Sequence, residues 1–194
     1  MENLNKILEE NNMDCVKEQI KIDEDSPQIY IACLSAYNNG YLHGSWVDAS
    51  EGIDHVRECI KEILSSSPVA EECEEWAIHD FQGFGNYKVS EYHDLEKLCE
   101  VAEFLKECDK FPSDVVSWLI DDYGIDGARE KIEEDYIGEF DSDLDLAYHY
   151  VEEIGLLEGV RECVSRYFDY SSFGRDLDLN GDVLSFSGHY FWNR

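Results

Sequence analysis

Basic residues are scarce in this chain. Lys and Arg number 15 against 45 Asp plus Glu, a formal net charge of -30 on 194 residues. A surface so short of cations repels nucleic acid, nucleotides and anionic membranes. Proline is nearly missing as well, with three in the chain, and no low-complexity linker separates independent domains. No apolar run reaches the roughly 18 residues of a membrane-spanning helix. The start, MENLNKILEENN, is acidic and polar, without the basic and apolar parts of a secretion signal. A cytoplasmic protein is expected on that ground. The seven cysteines are odd in number, widely spaced and set mostly in apolar stretches, with no Cys-x-x-Cys among them. Reduced core thiols are expected rather than disulfides or a zinc site.

What the chain does have is acid interleaved with hydrophobic residue. The acids run from Glu2 to Asp182, while 43% of residues are hydrophobic and 13% aromatic. A disordered acidic tail lacks that interleaving. The composition therefore describes a folded protein with a negative surface, suited to basic grooves on other proteins. Self-repulsion favours spreading the charge over an elongated arrangement of small parts.

The hydropathy pattern predicts an α+β fold in three small subdomains behind an acidic N-terminal extension, residues 1–26. The extension carries a short stripe, Leu4, Ile7 and Leu8, read as one helix. Residues 27–89 read as α+β with a short antiparallel sheet. The run from Gln28 through Ala36 is a buried strand, and Asn38-Asn39-Gly40 turns it towards a second strand, Leu42 to Val47. Ser50 is placed to cap a helix bearing Ile53, Val56, Ile60 and Ile63, which ends at Ser65-Ser66-Ser67-Pro68. Trp76 to Phe81 is a third strand, broken by Gly83 and Gly85. Residues 90–135 read as helical. Leu95, Leu98, Ala102 and Leu105 form one face, and Glu91, Glu96, Glu100, Glu103 and Glu107 another. Two more helices are expected at about 113–121 and 127–135. Residues 136–194 read as α+β. A helix with Leu144, Ala147, Tyr148 and Val151 ends at Gly155, a short helical piece spans 160–168, and strands 183–186 and 190–192 close the chain.

Signals for catalysis are weak. Asp176-x-Asp178-x-Asn180-Gly181-Asp182-Val183 matches the first eight positions of an EF-hand loop. The twelfth position, which needs a bidentate Glu, is Ser187, so a strand–turn–strand with Leu177 and Leu179 in the first strand fits better. The six histidines form no His-Glu-x-x-His. His79-Asp80 reads as a strand-end histidine, not a metal-site pair. Gly83-Phe84-Gly85 lacks the lysine of a phosphate loop, and no Gly-x-Ser-x-Gly elbow occurs. Adjacent acids such as Glu74 and Glu75 arise by chance in so acidic a chain.

The charge itself is the stronger signal. Duplex DNA carries one charge per about 1.7 Å of axis, so -30 equals roughly 50 Å of duplex, about fifteen base pairs. One carboxylate per helical turn is spaced at about 5.4 Å. Several such elements together approximate a phosphate array.

Three blocks of residues then bring a family into view. The first is Ile29-Tyr30-Ile31-Ala32 followed by Tyr37-Asn38-Asn39-Gly40, Leu42-His43-Gly44 and Trp46. The second is Glu75-Trp76-Ala77-Ile78-His79-Asp80-Phe81. The third is Tyr167-Phe168-Asp169-Tyr170 with Phe173-Gly174-Arg175-Asp176-Leu177 and Asn180-Gly181-Asp182. In order and spacing, across about residues 28–194, they resemble the ArdA antirestriction proteins. The resemblance implies an elongated, three-part, homodimeric DNA mimic from a mobile element. It also implies binding to type I restriction–modification enzymes in place of DNA, inhibition of restriction and often of modification, no catalysis and no cofactor. Residues 1–26 and a longer Ser65–Cys73 connection depart from that pattern.

On this reading the partner is the methyltransferase core of a type I enzyme, with no nucleic acid, membrane or metal bound. The mimic carboxylates are expected at Asp48, Glu51, Asp54, Glu74, Glu75 and Asp80 in the first segment. In the second they are Glu91, Glu96, Glu100, Glu103, Glu107, Asp121, Asp122 and Asp126. In the third they are Glu133, Glu134, Asp135, Glu139, Asp141, Asp143, Asp145, Glu152 and Glu153. Two rivals stand beside it. One is a general acidic interaction module or chaperone for a basic partner, and the other a metal-dependent hydrolase using His79 or His93.

Overall fold

The computed structural model describes residues 26–69 and 73–194. The expected helix with Leu4, Ile7 and Leu8 lies outside the described residues, as does part of the Ser65–Cys73 connection. The fold is α+β, with helices and two three-stranded antiparallel sheets, and its contacts divide the chain into two compact units after Gly83.

In the first unit β1 (Gln28–Cys33) lies between β2 (Gly44–Asp48) and β3 (Trp76–Gln82), antiparallel to both. The central position accounts for its unbroken apolar sequence, since Ile29, Ile31 and Cys33 are wholly buried. Tyr30 stands opposite Trp46, their rings edge to face at 5.6 Å. The strand ends earlier than the pattern predicts. Leu34–Asn38 forms a short helix, α1, closed by the Asn39 side-chain amide, which donates to the Ser35 carbonyl at 2.8 Å. Gly40 follows with φ 83°, the left-handed turn expected there.

Helix α2 (Ile53–Ser65) turns Val56, Ile60 and Ile63 inward. Ser50 does not cap it. Ala49–Glu51 is a single 3₁₀ turn in which the Asp48 carboxylate accepts from the Ser50 amide at 2.9 Å, and Gly52 heads α2 without a side-chain cap.

The second unit opens on α3 (Leu95–Glu107), capped by Asp94, whose carboxylate accepts from the Glu96 amide at 3.0 Å. Its inward face carries Leu98, Cys99, Val101, Ala102, Phe104 and Leu105. The two further helices expected from the sequence fall on either side of a kink in α4 (Ser113–Glu130) at Gly124, whose φ of 72° and ψ of 176° are not helical. A π turn, Lys131–Asp135, follows it.

The closing sheet has the order β4 (Tyr136–Glu139), β6 (His189–Trp192), β5 (Val183–Phe186). The β5–β6 hairpin turns on Ser187 and Gly188, both with positive φ (50° and 82°), as a two-residue turn of the twist-matched kind requires. This sheet and α4 share a core. Trp118 stacks on Phe186 at 5.3 Å, and Phe111 meets Tyr136 edge-on at 4.8 Å.

Helix α5 (Asp143–Glu153), capped by Ser142, ends before Gly155 as expected. Helix α6 (Glu162–Ser165) is a single turn. The residues expected as a strand through Leu177 and Leu179 instead form α7 (Tyr170–Leu179). Asp169 caps it by accepting from the Ser172 amide at 3.0 Å, which turns a chain rich in Asp and Gly into helix. Asp176 and Asp178 thus ride on a helix instead of folding round an ion, and Asn180-Gly181 makes the turn into β5.

Leu177 joins Leu146, Val183 and Tyr190 in the core of this unit. Helices α5 and α7 come so close that a Cβ at Gly174 would overlap the Asp143 backbone carbonyl and press on Ala147 at 3.2 Å. Backbone cannot yield as a side chain can, so Gly174→Ala should cost about 2–3 kcal/mol. Urea denaturation of the variant beside the parent checks it.

Candidate functional site

The same helical period that sends apolar side chains inward sends carboxylates outward. On α3, Glu96, Glu100, Glu103 and Glu107 are all exposed, on turns between the buried residues. Glu91 is exposed too, but it stands in the turn before the helix and is not part of the helical stripe. Asp121, Asp122 and Asp126 are exposed around the Gly124 break in α4. Glu133 and Glu134 extend the series on the π turn. In the first unit Glu51, Asp54, Glu74, Glu75 and Asp80 are exposed. So are Glu139, Asp141, Asp145, Glu152 and Glu153 towards the C-terminus.

Between α3 and α4 the surface sinks into a cavity of about 800 Å³. Glu100, Glu103, Glu107, Asp121 and Asp126 line it, with Lys97 and Arg129 as its cations. Arg129 reaches Glu107 at 2.7 Å and lies 4.8 Å above the Phe104 ring, which raises its pKa through that hydrogen bond. The half-buried Tyr87 also lines it, and burial, then the Asp121 charge, raise its phenol. The cavity therefore holds a field that favours cations.

Three of the predicted carboxylates belong to the fold. Asp135 is buried and receives the Lys131 ammonium at 2.8 Å. That ammonium also donates to the Trp192 carbonyl at 2.9 Å, and Arg194 stands 3.8 Å from the other Asp135 oxygen. Asp143 is half-buried and accepts from the Tyr190 hydroxyl at 2.8 Å. Asp48, also half-buried, organises the 3₁₀ turn. Among the exposed acids, Glu51 and Glu153 face histidines four residues away, at 3.6 and 3.4 Å.

Sequence reading passed over acids that the fold exposes equally. Glu58 and Glu62 are exposed on α2, one and two turns beyond Asp54. The spacing 54, 58, 62 was available from the period that placed Val56, Ile60 and Ile63 inward.

The histidines proposed for a hydrolase have ordinary surroundings. His79 meets the Tyr37 ring edge-on at 4.9 Å, and His93 lies 3.4 Å from the Tyr87 hydroxyl. His43 reaches the Ile63 carbonyl at 2.7 Å, at the end of α2. Among the described residues, no three His, Cys, Asp or Glu are grouped to hold a metal ion.

Fold and surface define an α+β polyanion, and no described helix is long and apolar enough to cross a membrane. The model of the antirestriction protein (ArdA) family matches residues 29–192, and the chain belongs to that family. A search of curated proteins found no match.

Two measurements separate fold-holding acids from surface ones. Asp135→Asn strands the buried Lys131 charge and should cost about 3 kcal/mol, whereas Glu100→Gln should stay within about 0.5 kcal/mol of the parent. Urea midpoints decide both. The second is pH dependence. Burial first, then the bond to Asp143, push the Tyr190 phenol up to about 12. An unfolded tyrosine ionises near 10. The folded state therefore keeps a proton that the unfolded state loses. This contribution is whole below about pH 10 and is lost as pH rises towards 12. Tyr190→Phe should flatten the fall in stability over that interval, read from urea midpoints at stepped pH.

Proposed function

We propose that this antirestriction protein is an acidic DNA mimic that occupies the DNA-binding groove of type I restriction–modification enzymes. It blocks restriction there and does no chemistry of its own. One observation carries the reading. The predicted mimic acids, apart from Asp48, Asp135 and Asp143, are exposed, on both units of the chain. Few cations offset them, since acids outnumber bases 45 to 15. A groove built for duplex DNA presents positive charge over many contacts, and distributed carboxylates release its counter-ions as phosphates do. The cavity between α3 and α4 gives that surface a place where a basic side chain can enter. The division into segments 27–89, 90–135 and 136–194 and the homodimer belong to the same proposal. Ile154, Leu156, Val160 and Val164, which the single chain leaves exposed, are candidate dimer contacts.

The test is competition. A type I methyltransferase complex is loaded with a labelled duplex and titrated with this protein. Stoichiometric displacement is expected, with affinity falling on the order of tenfold or more between low and physiological salt. Glu100→Gln, Glu103→Gln and Asp121→Asn should each weaken displacement about two- to threefold, and together much more, as many weak contacts require. Methylation assayed in the same mixtures reports whether modification stops with restriction. No displacement from several such enzymes, with equal binding to unrelated basic proteins, would transfer the function to a general acidic interaction module.

A further inference from the structure

Two thiols of the first unit meet at the end of β1. Cys33 closes β1 and is wholly buried. Cys73, on the approach to β3, is half-buried, and its side chain hydrogen-bonds with that of Cys33. Sheet register accounts for the meeting. Cys33 stands opposite Trp76, and the Leu34 amide donates to the Glu75 carbonyl at 3.0 Å, so the chain ahead of Trp76 passes the end of β1. Ser67, just beyond α2, adds a hydroxyl 3.6 Å from the Cys33 sulfur.

The setting favours reaction at this pair. Burial pushes the Cys33 thiol up, but hydrogen bonds from the Ala36 and Ser35 amides and the Ser67 and Cys73 side chains outweigh it and hold it below the ordinary value. Elsewhere the fold does the opposite. Burial, then Glu62, Glu51 and Glu58, raise Cys59, and burial pushes Cys108 up to about 11. A thiol exchanges with a disulfide only as its thiolate.

We propose that Cys33 and Cys73 form a thiol modification site that reacts with small-molecule disulfides and ends as a reversible Cys33–Cys73 disulfide. Cys73, the half-exposed member, loses its proton to solvent and attacks one sulfur of the external disulfide. A mixed disulfide forms on Cys73, and one small thiolate leaves. The Cys33 thiolate then attacks the Cys73 sulfur, forming the internal disulfide and expelling the second small thiolate. Both leaving thiolates take up protons. The protein is oxidised by two electrons and loses two hydrogens, and one external disulfide is reduced to two thiols. The product joins two places that the β1–β3 pairing already holds together.

The experiment uses the full-length folded protein with oxidised β-mercaptoethanol, an uncharged disulfide that the acidic surface does not repel. Remaining thiols are alkylated, and peptides are mapped by mass spectrometry with and without reduction. The expected result is a linked Cys33–Cys73 pair, lighter by two hydrogens, that dithiothreitol reverses. Cys33→Ala should stop the reaction at the mixed disulfide on Cys73, and Cys73→Ser should leave Cys33 as a thiol. A stable mixed disulfide on Cys73 of the parent protein, with Cys33 still alkylatable, overturns the proposal. So does a disulfide on Cys33 that persists in Cys73→Ser. Mapping of the parent decides the matter alone if a variant fails to match its circular dichroism spectrum.

Discussion

Negative charges crowded on one chain repel one another, and salt screens them only beyond about 8–10 Å. With 30 uncompensated charges on 194 residues, that repulsion opposes every compact state this chain can adopt. Folding requires cores whose burial outweighs it, so the elements are sharply two-sided. Helix α3 shows the solution: six residues wholly or nearly wholly inside and four glutamates outside, all within thirteen positions. The same arrangement that makes the charge tolerable makes it available to a partner. On the proposed reading, stability and function rest on one feature and are not traded against each other at a special site.

The few cations are placed where that balance is most delicate. Lys131 is buried beside Asp135 and the Trp192 carbonyl, joining the π turn to the last strand. Arg129 pairs with Glu107 across the cavity between α3 and α4. A chain with few bases spends these two on joining elements distant in sequence. The surrounding acids gain no neutral patch from Lys131, since the Lys131–Asp135 pair is hidden in the core, whereas the Arg129–Glu107 pair lies at the surface.

Much of the fold was legible because hydrophobic period tracks burial directly. The strand from Gln28, the helix with Val56, Ile60 and Ile63, the helix with Leu98, Ala102 and Leu105 and the closing hairpin all followed from it. Helix α7 did not. Its Asp and Gly residues favour turns, and the alternation of Leu177 and Leu179 imitates a strand. What makes it a helix is the Asp169 cap and close packing against α5 at Gly174, neither of which has a period. Helix α1 escaped for a related reason: five residues are too few to show a helical repeat, and their apolar character continues that of β1.

Composition and the three ordered blocks determined the negative surface, the α+β class and the membership in an antirestriction family, because charge count and local pattern are properties of the chain itself. Which carboxylates face solvent is not such a property. Asp121 and Asp135 look alike in sequence, each adjoining another acid in a stretch that reads as helical. Tertiary packing exposes one on the rim of a cavity and buries the other against Lys131, since only the folded chain brings Trp192 and Arg194 to the same place. The meeting of Cys33 with Cys73 was decided in the same way, by a sheet register that sets Cys33 opposite Trp76, just after Cys73 in the chain.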